Sequence, residues 1–305
     1  MAGTKEIKRR IKSVKNTKKI TKAMELVSAS KMKRAINATL SARPYSGYSW
    51  EVLTSLSEHV AESTNPLLVQ RDLNTLNREI RTLIVFITSN RGLCGAYNTQ
   101  VTKKVLTTLK NADQNEKHGE KIDFISVGKK GEAFLRRAKQ NVLASFNDIS
   151  DTPKLIDIYP IANLAIEEFK KGSYDKVMIA YTDFVSALTQ LPQMRTLLPV
   201  KKEDVAVEIA EARTDAPKKG IDYTFEPDYD ALMNVIVEKI ARVRIFQMML
   251  ESSASEHSAR MMAMKNASDA AGEMIDDLTL QFNKARQAGI TQEISEISAG
   301  MASVS

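Results

Sequence analysis

Proline is absent from two long stretches of this chain, residues 4–43 and 228–305. Proline inside a helix removes a backbone hydrogen bond and clashes with the preceding turn, so its absence leaves both stretches free to form uninterrupted helices. At 1.5 Å per residue, a helix of roughly 75 residues would extend about 110 Å, well beyond the width of an ordinary domain. A helix of that length needs a partner along its apolar stripe.

Other absences restrict the location and the chemistry. A single cysteine, Cys94, excludes a disulfide within the chain and suits a reducing compartment. The sequence has no uncharged apolar run of about eighteen residues and no signal-peptide pattern, so we expect a cytoplasmic protein without direct membrane insertion. His59, His118 and His257 stand far apart, without a carboxylate or cysteine at ligand spacing. We therefore expect no metal and no cofactor.

Apolar residues alternate at three- and four-residue spacing in both proline-free stretches, which is the pattern of a coiled-coil seam. In the C-terminal stretch they are Val243, Phe246, Leu250, then Ala271, Ile275, Leu278, Phe282 and Ala285. In the N-terminal stretch they are Ile7, Ile11, Val14, then Ile20, Met24 and Val27. The pattern predicts an antiparallel coiled coil between residues 1–60 and 228–305, with Pro44 ending or kinking the first helix.

Charge is distributed unevenly between these two helices. Residues 1–43 carry 13 Lys or Arg and two acidic residues, a net charge of +11. Residues 228–305 carry seven basic and 11 acidic residues, a net charge of −4. The opposite signs favour pairing of the helices, but the positive surplus indicates a further acidic partner.

Strands and helices alternate between residues 80 and 200, which predicts a Rossmann-like α/β domain with a mostly parallel sheet. Strands are predicted over 82–88, 121–127, 176–181 and 185–200, the last interrupted at Pro192. Helices are predicted over about 97–111, from about 131 to 139 and over 154–171, ending at Gly172. The fold class is thus α/β with a long antiparallel coiled coil of the terminal helices.

Three other functions are compatible with parts of the sequence: nucleotide binding, nucleic-acid binding and catalysis by a small α/β enzyme. Gly92 and Gly95 lie in a turn between strand and helix, but they are three residues apart and match neither G-x-G-x-x-G nor the P-loop pattern, so the turn is interpreted as structural. The basic first helix followed by a coiled coil suggests a nucleic-acid-binding protein, although a whole domain separates the two. A small α/β enzyme with helical arms lacks any catalytic constellation.

Five short segments resemble the gamma subunit of bacterial F-type ATP synthase, and the resemblance covers the whole chain. The most specific is ITQEISEISAG at 290–300; the others are ITKAM at 20–24, ARPY at 42–45, RGLCG at 91–95 and ARMMAMK at 259–265. Two positions depart from the family pattern: Met301 stands where alanine is usual, and Asn90 where aspartate is common.

The resemblance implies a non-catalytic rotor shaft at the cytoplasmic face of the cell membrane. Its partners would be three alpha and three beta subunits, epsilon and the c-ring, and it would couple proton flow to ATP synthesis and hydrolysis. The residues expected to contact the alpha/beta ring are Lys18, Lys19, Lys22, Met24, Arg260, Gln287, Thr291 and Glu293. Tyr223 and Glu226 are expected to contact the c-ring. The uncharged stretch from Ile297 to Ser305 is expected to lie inside the ring.

Overall fold

A computed structural model describes residues 3–57, 65–69, 78–113, 119–200 and 229–302. The chain divides into two compact units, which are described separately below. The first contains residues 1–29 and 260–305, and the second contains residues 30–259. Helices are numbered α1 to α5 and strands β1 to β5 in chain order.

Two long helices contribute to both units, α1 (Thr4–Ser57) and α5 (Tyr229–Ala302). They contain 54 and 74 residues, so the predicted long terminal helices are confirmed. Pro44 does not end α1, which continues to Ser57. A proline removes one hydrogen bond from the helix, and the many remaining bonds of a helix this long can offset that loss.

The first unit places the start of α1 beside the end of α5. Lys18 lies eleven residues before α1 leaves the unit, and Gly272 lies twelve residues after α5 enters it. An added Cβ on Gly272 would stand 2.8 Å from Lys18 Nζ, so these two positions are adjacent. Lys18 precedes the boundary in α1 and Gly272 follows it in α5 by nearly the same number of residues, so the two helices run antiparallel, as predicted.

The buried seam of α1 differs from the predicted one. Ile20 and Val27 are 61% and 55% exposed, whereas Thr21 and Ser28 are buried. Thr21 and Ser28 are fourteen and twenty-one residues after buried Ile7, so a strict seven-residue repeat keeps all three on one face of the helix. Ile20 and Val27 precede this seam by one residue, which turns them about 100° away from it. The prediction of Ile20 and Val27 as seam residues was wrong because hydrophobicity did not decide which face packs.

The predicted seam of α5 agrees with the structure in the first unit. Ala271 is buried, and the next seam positions are partly buried while their neighbours are exposed; these positions are Ile275, Leu278, Phe282 and Ala285. From residue 286 to residue 301 every side chain is exposed in this chain. The seam is therefore covered only over the part of α5 that precedes residue 286.

The second unit contains a five-stranded sheet in the order β3-β2-β1-β4-β5. The strands are β1 (Ile80–Ile87), β2 (Glu120–Val127), β3 (Asn141–Phe146), β4 (Lys176–Phe184) and β5 (Gln190–Leu198). All neighbouring pairs are parallel except β4 and β5. The mostly parallel sheet was predicted, and only β3 was missed. Residues of β3 alternate between exposed and half-buried because it is an edge strand, so it lacks a continuous apolar run.

Three shorter helices connect the parallel strands: α2 (Tyr97–Asp113), α3 (Lys129–Arg137) and α4 (Leu155–Lys170). Right-handed crossovers place α2 and α3 on one face, because β1, β2 and β3 follow one another in a single direction across the sheet. The connection from β3 to β4 reverses that direction and places α4 on the opposite face. Gly172, which was predicted to end α4, has φ 77° just beyond it.

Each face of the sheet has its own apolar core. One core joins α2 and α3 to the sheet through Val101, Val105, Phe86 and Leu135. The other joins α4 and the first turns of α5 to the opposite face, and its members include Ile158, Ile161, Phe169, Val237, Ile240, Ile245 and Met248. The early part of α5 is therefore a core helix of the α/β domain.

Candidate partner-binding surfaces

A stripe of lysines runs along the first six turns of α1. Its members follow a three–four spacing and are Lys5, Lys8, Lys12, Lys15, Lys19 and Lys22. From Lys8 onward each of these lysines is one residue after a seam position, so the stripe lies about 100° from the buried seam. All six lysines are exposed. We call these six residues the lysine stripe; their regular spacing is a signal that the sequence itself contains.

The structure brings the N-terminal candidate residues together on this part of α1. Lys19 and Lys22 belong to the lysine stripe, and exposed Lys18 lies next to Gly272 of α5. Lys22 Nζ is 3.0 Å from both carboxylate oxygens of Glu25, which neutralises part of its charge. Met24 is half-buried on the same helix. The three lysines form a basic surface, and Met24 lies on the other side of α1, about 160° around the helix axis from Lys22.

The C-terminal candidates fall into two separate regions of α5. Gln287 and Thr291 are exposed and one turn apart, with Thr291 Oγ1 donating a hydrogen bond to the Gln287 carbonyl at 3.0 Å. Glu293 is exposed on another side of the same turns. Arg260 is only 8% exposed, and at 1.5 Å per residue it lies about 40 Å along the helix from Gln287. The structure thus groups Gln287, Thr291 and Glu293 and separates Arg260 from them.

An exposed apolar stripe lies on the same part of α5 as Gln287, Thr291 and Glu293. Ile290, Ile294, Ile297 and Met301 are between 49% and 68% exposed. Their spacing of four, three and four residues places them on one side of α5. An exposed apolar stripe this long is a feature of surfaces that bind another protein. Tyr223 and Glu226, the candidates for the c-ring, lie outside the described residues.

The turn after β1 has its polar groups satisfied within the protein. The Ser89 amide donates to Asn98 Oδ1 at 3.1 Å, and Asn98 Nδ2 donates to Ser89 Oγ at 2.7 Å. Asn98 Nδ2 also donates to the Cys94 sulfur at 3.2 Å. Cys94 is 3% exposed, so its thiol is buried. This turn is structural.

The N-terminus of α3 is also occupied by protein groups. Its first amides donate to Asn90 Oδ1, to the Ser89 carbonyl and to Thr88 Oγ1, at 3.1, 3.2 and 2.8 Å. A phosphate bound at a helix N-terminus needs such amides to be available. The nucleotide-binding alternative therefore has no support at this helix.

The usual ligand crevice of a doubly wound sheet is filled by α5. In such folds ligands bind beyond the carboxyl ends of the strands, where the strand order reverses; here that point lies between β1 and β4. Ser252 of α5 bonds to the hydroxyl of Tyr97, the residue that begins α2 after β1, at 2.6 Å. Ser255 donates to the Thr182 carbonyl of β4 at 3.2 Å. Within the described residues no group of three His, Cys, Asp or Glu could hold a metal ion.

Comparison with known proteins identifies relatives along the full chain. A family model described as ATP synthase matches residues 3–304. The ATP synthase gamma chain of Herpetosiphon aurantiacus is 42% identical, with 98% of each chain covered. That of Herminiimonas arsenicoxydans is 39% identical, with 100% of each chain covered.

Solved structures with a similar fold come from rotary complexes. A chain from the central stalk and c-ring structure of Tetrahymena thermophila mitochondrial ATP synthase is 25% identical, with a TM-score of 0.55; 82% of this chain and 99% of that one are covered. A chain from the Euglena gracilis mitochondrial enzyme has a TM-score of 0.62 at 20% identity, covering 99% of this chain and 94% of that one. At that identity the Euglena match shows the fold alone.

Proposed function

Since the chain belongs to the ATP synthase gamma-chain family, we propose that it is the central rotor shaft of an F-type ATP synthase. In this role it couples proton flow through a c-ring to ATP synthesis and hydrolysis in a ring of three alpha and three beta subunits. The observation that carries the proposal is the pair of antiparallel terminal helices attached to an α/β domain. The chain itself would contribute no catalytic group.

The coupling mechanism depends on the asymmetry of the shaft. A single shaft cannot present the same face to three equivalent neighbours, so each catalytic site meets a different surface of the shaft at any moment. Differential contacts of this kind are what couple one site to another. The lysine stripe and the exposed Ile20 and Val27 give α1 two chemically different exposed faces, which is an asymmetry of the kind that the mechanism needs.

We assign the basic part of α1 to an acidic loop of beta. Lys18, Lys19 and Lys22 supply the charge, and Met24, on the other side of the helix, would supply a separate apolar contact. Charge complementarity of this type sets orientation and rate of approach more than overall affinity. Gln287, Thr291 and Glu293 would contact the upper part of the ring. Arg260, about 40 Å away along α5, would contact a different part of the ring, and only through the few atoms that remain exposed.

The exposed apolar stripe of α5 fits the expectation for the end of the shaft. Directional hydrogen bonds would hold a turning helix at one angle, whereas dispersion contacts are shallow and contribute about 0.1–0.2 kcal/mol per atom pair. Ile294, Ile297 and Met301 offer contacts of the second kind to a surrounding sleeve. We therefore propose that these residues form a low-friction bearing surface.

The α/β domain would face the membrane side of the complex, with epsilon and the c-ring as partners and Tyr223 and Glu226 as c-ring contacts. None of the described helices combines the length and apolar composition needed to cross a membrane. We accordingly propose a peripheral protein at the cytoplasmic face of the cell membrane, held there by its partners.

Affinity purification of the tagged chain from its own cells tests the proposal. Co-purification of alpha, beta, epsilon and c subunits, identified by mass spectrometry, is the expected result. Recovery of nucleic acid with salt-dependent affinity and without those subunits would support the nucleic-acid-binding alternative instead.

A further inference from the structure

Four serines lie close together in α5, in the segment ESSASEHS at residues 251–258. Serine in a helix interior commonly bonds back to its own helix. Each of these four instead bonds to a different part of the α/β domain. They are Ser252, Ser253, Ser255 and Ser258, and we call them the serine collar.

The partners of the collar come from four separate segments. Ser252 Oγ is 2.6 Å from the Tyr97 hydroxyl at the start of α2. Ser253 Oγ donates to the Asp151 carbonyl, in the loop between β3 and α4, at 2.5 Å. The other two hydroxyls donate to the carbonyls of Thr182 in β4 and Ala187 in the β4–β5 turn, at 3.2 and 2.7 Å.

These bonds surround the helix. At about 100° per residue, the four serines point about 0°, 100°, 300° and 240° around the axis of α5, leaving no gap wider than about 140°. Ser252, Ser255 and Ser258 are at most 1% exposed, so water cannot replace their protein partners. Asp151 is further tied to α1 by an ion pair with Lys31.

The four hydrogen bonds favour one rotational angle of α5 about its own axis. Apolar contacts have no preferred direction, whereas a hydrogen bond weakens steeply once its donor angle falls below about 120°. A rotation of α5 by one residue position would misalign all four hydroxyls at once. The collar therefore resists twisting of the helix within the domain more strongly than apolar packing would.

We propose that the serine collar fixes the rotational angle of α5 in the α/β domain, so that torque passes between helix and domain without slippage. The four serines act as positioning residues and contact no substrate. The inference rests on the proposed rotor function, because only a rotating shaft transmits torque through this joint.

The test compares the angular stiffness of the joint in assembled complexes. Serine-to-alanine substitutions at all four positions remove the hydroxyls and keep good helix formers in place. A pair of substitutions, Ser253→Ala with Ser258→Ala, is the milder variant. The control is Thr279→Ala, which removes a hydroxyl that donates to the Ile275 carbonyl of its own helix at 2.7 Å.

Stiffness is read from a bead attached through Lys104→Cys, an exposed position on α2. The alpha/beta ring is fixed to a surface, ATP turnover is stalled, and the variance of the bead angle is recorded. We expect the variance to rise about twofold or more in the four-site variant, because bonds with steep angular dependence have been removed. The two-site variant should give a smaller rise, and Thr279→Ala no change.

The outcomes separate the two proposals. A wild-type chain that does not assemble with alpha and beta would overturn the rotor function itself. If the wild type assembles and the serine variants show an unchanged variance, the collar inference alone is wrong, even where their melting temperature falls. Should the four-site variant not assemble, the two-site variant decides by the same criterion.

Discussion

The Thr88 hydroxyl connects the two turns at the carboxyl ends of β1 and β2. It donates to the Val127 carbonyl at 3.1 Å and accepts a hydrogen bond from the Gly131 amide at 2.8 Å. This arrangement brings the backbone of Gly128 so close that an added Cβ would stand 2.3 Å from the Thr88 carbonyl oxygen. Gly128 also has φ 97°, a conformation that other residues rarely adopt.

Replacing Gly128 with alanine should lower the free energy of unfolding by about 3 kcal/mol, because strain and a steric clash act together. The measurement is urea denaturation of the full chain. Gly92→Ala is the matched control, since a Cβ there would meet only the end of the Lys130 side chain at 3.9 Å. Equal stability of the two variants would contradict the assignment of strain to Gly128.

Glu132 of α3 provides a pH-dependent contribution at the residue scale. Its carboxylate accepts hydrogen bonds from Asn147 Nδ2 at 2.5 Å and pairs with Arg136 at 2.7 Å. The hydrogen bond from Asn147, followed by that from Arg136, lowers the pKa of Glu132 below its ordinary value of 4.5. A lowered pKa means that the ionised form stabilises the folded chain above that value, and that this stabilisation is lost as the pH falls through the folded-state pKa.

Glu132→Gln should therefore be less stable than the wild type at neutral pH, and the difference should shrink as the pH falls below about 4.5. Urea denaturation at a series of pH values measures the difference in unfolding free energy between the wild type and the variant. The exposed Glu167 of α4 supplies the control substitution, Glu167→Gln, which should change the pH dependence less. A stability difference independent of pH would show that the carboxylate charge does not matter.

At the scale of single elements, α1 is organised by a seven-residue repeat rather than by hydrophobicity alone. Its buried face includes Ile7, Thr21 and Ser28, with the lysine stripe on one flank. Ile20 and Val27 form the opposite flank and remain exposed. Small polar side chains at Thr21 and Ser28 permit a close approach of the neighbouring helix, since bulky residues would hold the two backbones apart.

Two isoleucine-to-alanine substitutions at different positions test which face of α1 packs against the neighbouring helix. Ile7→Ala should cost about 2 kcal/mol, the lower end of the range for a buried isoleucine, because Ile7 is near the helix end. Ile20→Ala should change the unfolding free energy of the full chain by no more than about 0.5 kcal/mol. A larger loss of stability for Ile20→Ala than for Ile7→Ala would contradict the buried seam described above and support the seam predicted from the sequence.

At the scale of the whole molecule, charge is the property that most clearly requires a partner. The net charge of +11 on residues 1–43 exceeds the −4 of residues 228–305, and the chain as a whole carries +7. The exposed lysine stripe concentrates this surplus on one side of α1. An acidic surface of the surrounding ring would neutralise it.

Reversing the charge of Lys18, Lys19 and Lys22 with glutamate should weaken the coupling of ATP hydrolysis to proton pumping. Like-charge contacts would replace attractive ones, and we expect a fall of about threefold or more in protons moved per ATP at low ionic strength. Reversing Lys103, Lys104 and Lys110, which are exposed on α2, makes the same change in net charge and serves as the control. The rates of ATP hydrolysis and of proton pumping are both measured in membrane vesicles that contain each complex. Wild-type coupling in the α1 variant would exclude a role for these lysines.

Much of the architecture was determined by local sequence. The proline-free stretches specified α1 and α5, the continuous apolar runs specified the central strands, and the chain order of strands and helices specified a mostly parallel sheet. Each of these features depends on residues near one another in the chain, whose propensities act before any distant contact forms. The seam of α5 from Ala271 to Ala285 was predictable for the same reason.

Tertiary structure alone decided the features that depend on a neighbour. Which face of α1 packs was set by the partner helix, so Thr21 was buried and Ile20 was not. The edge strand β3 is held by its pairing with β2 rather than by an apolar pattern of its own. The serine collar is recognisable only from its partners, because a serine hydroxyl has the same chemistry whether it faces water or a carbonyl 102 residues away in the chain, as Ser253 does. Burial and hydrogen-bond geometry, which no single stretch of sequence contains, make that distinction.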